Sequence, residues 1–207
     1  MISLLSSFRN PVAALLLSLA MTSASSAQAL LSPAGRPDRV QGVETAPITL
    51  VEYSSPTCGH CVSYHNEVAP RIQTEYVETG KVRLIYRPFV RNVIDAAVFI
   101  LAESRSDDEY HVVLDAFYKR YDDIVDTSNA LGVLEEIAGT VGIGADEFRE
   151  LLSAQVELES IQTLTQQAVN EFGVTGTPTF FVNDKMRVGG QSFEMLSTAI
   201  EEELAQQ

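Results

Sequence analysis

Both cysteines of this 207-residue chain lie in one tetrapeptide, Cys58-Gly59-His60-Cys61. Two thiols with C-x-x-C spacing at the start of a helix can close into a small-ring disulfide and reopen. The positive end of the helix favours the thiolate on which exchange depends. With no third cysteine, the pair cannot belong to a larger disulfide framework or to a four-cysteine metal site. Cys58 is expected to be the exposed nucleophile with a lowered pKa, and Cys61, one turn further in, the more buried thiol that resolves a mixed disulfide. A static staple over so short a loop would stabilise little. His60 stands between the thiols, where an imidazole can donate a hydrogen bond or carry positive charge beside the Cys58 thiolate. Glu52 places a carboxylate in an otherwise apolar strand before the pair. Buried there, it would raise its own pKa and take or relay the proton of the resolving thiol. The competing assignment for Glu52 is a strand-end carboxylate that reaches water or pairs with Arg83 or Arg87. His65, four residues after Cys61, permits a metal reading with Cys58, Cys61 and His60, but convergence on one tetrahedral ion is awkward on that rigid turn. No metal and no bound cofactor is expected, and His111 reads as a surface or packing residue.

The surrounding pattern supplies the elements that must hold these groups. Residues 48–53 (ITLVEY) form a nearly continuous β-favouring run, as expected of a strand covered on both faces. Pro56 and Thr57 break it just before Cys58. Val62, Val68, Ile72 and Tyr76 then recur at near-helical intervals, Gly80 is placed to end the helix, and Pro70 should kink it. A second strand at 82–86 completes a βαβ unit. From 92 to 171 the composition turns helical, with four or five helices, and Phe99, Phe117, Tyr118 and Tyr121 fit their core. Strand pattern returns with Thr179–Val182, a turn at Asn183-Asp184 and residues 186–188. A last helix covers Phe193–Leu204, with Ser192 as its N-cap. Pro178 heads a strand from which a proline removes a ladder donor, so its place calls for a reason. The expected class is α/β, a four-stranded mixed sheet with an inserted all-helical domain: sheet residues 47–91 and 172–207, insertion 92–171.

Residues 1–29 read as a cleavable signal peptide: Arg9, the apolar stretch 12–21, and the A-x-A site Ala27-Gln28-Ala29. An uncleaved anchor is the alternative. Residues 30–46, with Pro33, Gly35, Pro37 and Gly42, read as a flexible leader. Asp and Glu number 28 against 14 Lys and Arg, a net charge of −14. Such a chain is unsuited to phosphate backbones, which argues against nucleic acid as a partner.

Three motifs taken together, Val51-Glu52-Tyr53, Cys58-Gly59-His60-Cys61 and Gly173-Val174-Thr175-Gly176-Thr177-Pro178-Thr179-Phe180-Phe181, resemble the thioredoxin superfamily. Within it they resemble the DsbA-like thiol–disulfide oxidoreductases, and the resemblance runs from Pro47 to the C-terminus. It implies a thioredoxin-like fold, a cis-proline at Pro178 facing the cysteines, and a substrate-docking loop at Thr177 and Pro178. It supports the roles given above to His60 and Glu52. Reduced proteins or peptides would be the substrates, the periplasm the location, and a DsbB-like membrane protein the re-oxidant. Gly-His between the cysteines is the dipeptide of protein disulfide isomerase, where DsbA usually has Pro-His, which implies a milder oxidant. The expected function is disulfide formation by an exported oxidoreductase. The alternatives are an isomerase or reductase of the same fold, or a periplasmic metal-binding or chaperone-like module.

Overall fold

Five strands pair in the order β1-β3-β2-β4-β5. They are β1 Arg39–Gln41, β2 Ile48–Ser54, β3 Val82–Pro88, β4 Thr179–Val182 and β5 Lys185–Val188. β2 and β3 run parallel, joined by a helical crossover, and every other pairing is antiparallel. This computed structural model describes residues 30–207, so the expected signal peptide lies outside the described residues. Contacts divide the chain after Ser32, and the sheet and its helices belong wholly to the unit Pro33–Gln207.

The expectation of four strands and a flexible leader is corrected at β1. Arg39 pairs with Tyr86 and Gln41 with Leu84 across an antiparallel ladder. Three residues are too few to show alternation, so the pattern along the chain cannot reveal this strand. Side chains hold it from a distance: Arg39 Nε lies 2.8 Å from Glu103 Oε2, and Asp38 grips Arg87.

The crossover helix α1 spans 59–77 and is uneven. α-helical turns at Gly59–Ser63 and Ala69–Ile72 alternate with π turns at Tyr64–Val68 and Gln73–Val77. Pro70 has no N–H to return to the preceding turn, and the ladder widens just before it. The helical block follows as α2 Val93–Glu103, α3 Asp107–Lys119, α4 Tyr121–Val125, α5 Ala130–Thr140, α6 Ala145–Leu152 and α7 Gln155–Phe172. The short α4 is the segment not foreseen. α7 stops at Gly173, whose φ of 69° suits a residue without a Cβ, and the Val174 N–H closes on the Ala168 carbonyl at 2.9 Å. α8, Phe193–Leu204, is capped by Ser192, whose side chain accepts from the Met195 N–H.

Alternation along β2 decides what faces the main core. Ile48, Leu50, Glu52 and Ser54 share a face, opposite Leu84, Tyr86 and Phe180 on the neighbouring strands. That face packs on α1, where Tyr64 meets Phe180 with ring centroids 4.6 Å apart, and its cluster continues into Phe99, Phe117 and Phe148 of the helical block. Val51, Tyr53 and Arg87 therefore point to the other face. A carboxylate and a hydroxyl thus lie under the helix that carries the cysteines.

Candidate active site

Cys58 is the N-cap of α1 and Cys61 lies in its first turn, with the Cys61 and Val62 N–H groups bonded to the Cys58 carbonyl at 2.9 and 3.0 Å. Both are free thiols. The loop that delivers Cys58 is pinned by Asp95 of α2, a fully buried carboxylate absent from the sequence expectations. Asp95 accepts from Ser55 Oγ at 2.8 Å, from Thr57 N and Oγ1 at 2.9 and 2.8 Å, and from Arg91 N at 2.9 Å. Its one visible signal is its place three residues after the N-cap Asn92, whose side chain accepts from the Asp95 N–H.

Cys58 is more covered than expected, at 6% exposure, because the segment before Pro178 lies over it. The thiol donates to the Thr177 carbonyl at 3.2 Å, and the Thr177–Pro178 peptide bond is cis. Thr177 Oγ1 is buried with no hydrogen-bond partner among the described residues, which leaves it ready to donate to a thiolate. A hollow of about 480 Å³ opens at Cys58, lined by Thr57, His60, Arg91, Tyr121, Gly176 and Thr177.

The two sulfurs are driven apart electrostatically. Cys58 is lowered to about 5, first by the hydrogen bond that Cys61 offers its thiolate, then by Thr177 and the backbone N–H groups of Cys61 and His60; partial burial opposes them. Cys61 is pushed far upward, first by complete burial, then by giving that hydrogen bond and by the Glu52 charge. One thiol is held ready as a thiolate and the other as a proton carrier. His60 contributes here through its backbone, while its exposed ring lies against Gly190.

Glu52 sits behind the pair at 1% exposure, and its Oε2 has no partner among the described residues. It pairs with neither Arg83 nor Arg87; Arg87 is engaged by Asp38 on the opposite face. Burial raises its carboxyl to about 8, offset by the Ser54 hydroxyl and reinforced by Cys58. Burial also holds Tyr64, Tyr86 and Tyr118 protonated around it. Ser54 and Tyr118, whose hydroxyls meet at 2.8 Å, complete the cluster, and sequence reasoning gave neither of them this place. Alternation from Glu52 to Ser54 was the available signal for the first.

A stability consequence follows from the raised carboxyl. Below about pH 4.5 Glu52 is protonated folded or unfolded and costs nothing. Between about pH 4.5 and 8 only the unfolded chain ionises freely, so the folding cost of Glu52 grows through that window and then levels off. Glu52→Gln is expected to stabilise the protein at pH 7 by about 3 kcal/mol, and to leave it unchanged at pH 4. Thermal unfolding at the two pH values checks this; equal shifts at both would contradict it.

His65 does not join the cysteines: its ring stacks on Tyr118 at 4.4 Å and its Nε2 lies 3.5 Å from Asp115 Oδ1. His111 lies between Tyr86 and Tyr110, at 4.6 and 5.2 Å, and burial lowers it to about 4. Among the described residues no group of three His, Cys, Asp or Glu side chains could hold a metal ion. Phe99 and Phe117 are core residues as expected, whereas Tyr121 lines the hollow opposite Gly59.

The thioredoxin family profile matches residues 35–202. A Rickettsia felis chain provisionally named protein-disulfide oxidoreductase is 30% identical over 171 residues, which are 82% of this chain and 61% of that one. The chain thus spans less than two thirds of that relative's length. Disulfide bond formation protein D of Bacillus subtilis is 26% identical over 176 residues, covering 80% of this chain and 76% of that one. Among solved structures, alpha-DsbA1 of Wolbachia pipientis is similar with a TM-score of 0.76 at 26% identity, over 82% of this chain and 92% of that one.

Proposed function

The chain belongs to the thioredoxin family, and on that premise we propose that it is an exported thiol–disulfide oxidoreductase that forms disulfides in reduced proteins or peptides. The observation that carries the reading is the opposed character of the two sulfurs: Cys58 lowered to about 5 and open to a hollow, Cys61 raised and fully buried. A substrate thiolate attacks Cys58 Sγ of the oxidised pair, and Cys61 leaves and takes up a proton. A second substrate thiolate then attacks the substrate sulfur of the mixed disulfide, and Cys58 leaves as a stabilised thiolate. A low leaving-group pKa speeds that departure, and stabilising the reduced pair makes its disulfide the stronger oxidant.

Glu52 is assigned the proton exchanged with Cys61, and Thr177 with Pro178 the docking of the substrate backbone. His60 adds positive charge near Cys58 when protonated. The signal peptide at 1–29 takes the protein to the periplasm, where a DsbB-like membrane protein re-oxidises the pair. Among the described residues no helix is long and apolar enough to cross a membrane.

Equilibration against glutathione buffers tests the reading. The expected potential lies well above the thioredoxin value of about −270 mV, toward about −180 to −120 mV. The protein should also accelerate disulfide formation in a reduced, unfolded substrate. A thioredoxin-like potential with no such acceleration would overturn the oxidase assignment in favour of a reductase.

A further inference from the structure

We propose that the Ser54 hydroxyl, oriented by Tyr118, relays the proton between the Cys61 thiol and the Glu52 carboxyl. The inference rests on the exchange reaction proposed above and assigns a residue to it that the motifs do not contain. Three observations carry it. Cys61 is fully buried and Glu52 is 1% exposed, so neither exchanges protons with bulk water directly. Ser54, two residues after Glu52 on β2, projects from the same face beneath α1, and Glu52 Oε2 has no partner among the described residues. Ser54 Oγ is fixed 2.8 Å from Tyr118 Oη in a buried contact.

Tyr118 is suited to the orienting role. Burial keeps its phenol protonated, and its ring is packed on His65 at 4.4 Å. A phenol that donates to Ser54 Oγ leaves the serine's own O–H to turn between Cys61 and Glu52. The electrostatic surroundings of both groups agree: burial raises each of them, and the Ser54 hydroxyl draws each back down.

The step is clearest when the protein, reduced and then mixed with glutathione disulfide, holds glutathione on Cys58. With Cys58 in a mixed disulfide its charge no longer raises Glu52; burial still does, and the ionised fraction of the carboxyl is what accepts the proton. Cys61 S–H passes its proton to Ser54 Oγ as the serine passes its own to Glu52. The Cys61 thiolate attacks Cys58 Sγ, the Cys58–Cys61 bond forms, and the Cys58–glutathione bond breaks. Glutathione leaves with the electron pair and is protonated by water. Run in reverse, the relay protonates the Cys61 thiolate released when a substrate attacks Cys58.

Acid quenching and mass spectrometry of the glutathione adduct measure the unimolecular release rate between pH 5 and 9. Ser54→Ala is expected to slow release about 10- to 100-fold at pH 7, with the Cys58 thiolate midpoint unmoved. Ser54→Thr keeps a hydroxyl and should restore the rate to within about threefold. The double variant Ser54→Ala/Tyr118→Phe leaves no buried phenol unpartnered and should stay slow, which a packing defect would not. Release from Ser54→Ala at the wild-type rate across the range, or from Ser54→Thr as slow as from Ser54→Ala, would overturn the relay. No exchange with glutathione in the wild type would instead sink the oxidoreductase reading itself.

Discussion

Cys58 is expected to alkylate with a midpoint near pH 5, set by its lowered pKa, while Cys61 stays inert through neutral pH. Magnitudes decide where the effect is visible. At pH 7 an ordinary thiol is only about 1–3% ionised and Cys58 almost fully so. A thiolate of lower pKa is, however, a weaker nucleophile, with a Brønsted slope of about 0.4–0.5, which cancels most of that advantage. At pH 5 the balance changes: Cys58 is half ionised, an ordinary thiol about 0.01%, and the expected rate advantage is about 100-fold. A reduced protein whose two thiols alkylate together with a midpoint above pH 8 would contradict the electrostatic account. The depressed pKa also links redox state to pH. It stabilises the reduced fold fully above about pH 9, and that contribution is lost as pH falls toward 5. The oxidised protein has no such dependence on Cys58, so acidification should destabilise the reduced form relative to the oxidised one. Cys58→Ser should abolish exchange, and Cys61→Ser should accumulate mixed disulfides on Cys58, visible on non-reducing gels.

Asp38→Ala should lower stability by about 3–5 kcal/mol, the cost of breaking a buried ion pair from one side. Arg87 has no exposed side-chain surface and Asp38 retains 7%. The guanidinium donates to both Asp38 oxygens, at 2.7 and 2.9 Å, and to the Tyr53 hydroxyl at 2.7 Å. Burial alone would favour a neutral arginine, and the hydrogen bonds and charge interactions of Asp38 and Tyr53 together outweigh it, so the pair stays charged. Removal of Asp38 takes away the carboxylate that offsets the burial of that charge and frees the chain leading into β1. Thermal unfolding at pH 7 should show a loss of about 10 °C. Asp38→Leu combined with Arg87→Met should recover much of it, because apolar residues of similar volume carry no desolvation penalty. An unchanged melting temperature in Asp38→Ala would show that the pair contributes nothing.

The groups behind these two expectations differ in how far the chain reveals them. The cysteine pair, the strand before it, the helix after it and the Thr177-Pro178 segment can all be read along the chain, because each is a local pattern. Glu52 was also legible, since alternation with Ile48 and Leu50 fixes its face. What it would meet there was not: the expected alternatives Arg83 and Arg87 belong elsewhere. β1 was illegible because a three-residue edge strand exists only through its partner β3 and its ion pairs.

Local patterns along the chain establish a C-x-x-C thiol pair at the start of a helix, a thioredoxin-like order of elements and a carboxylate on the covered face beneath that helix. Spacing, periodicity and the special backbone properties of glycine and proline act over a few residues, so they are written along the chain. Which buried polar groups satisfy one another is set by the three-dimensional fold. Ser54 finds Tyr118 across 64 residues, Ser55 finds Asp95 across 40, and Arg87 finds Asp38 across 49. A buried hydroxyl or charge must be paired wherever the fold brings a partner, and no local pattern records that meeting. For the same reason only the fold shows the His60 ring turned toward Gly190 while its backbone N–H serves Cys58.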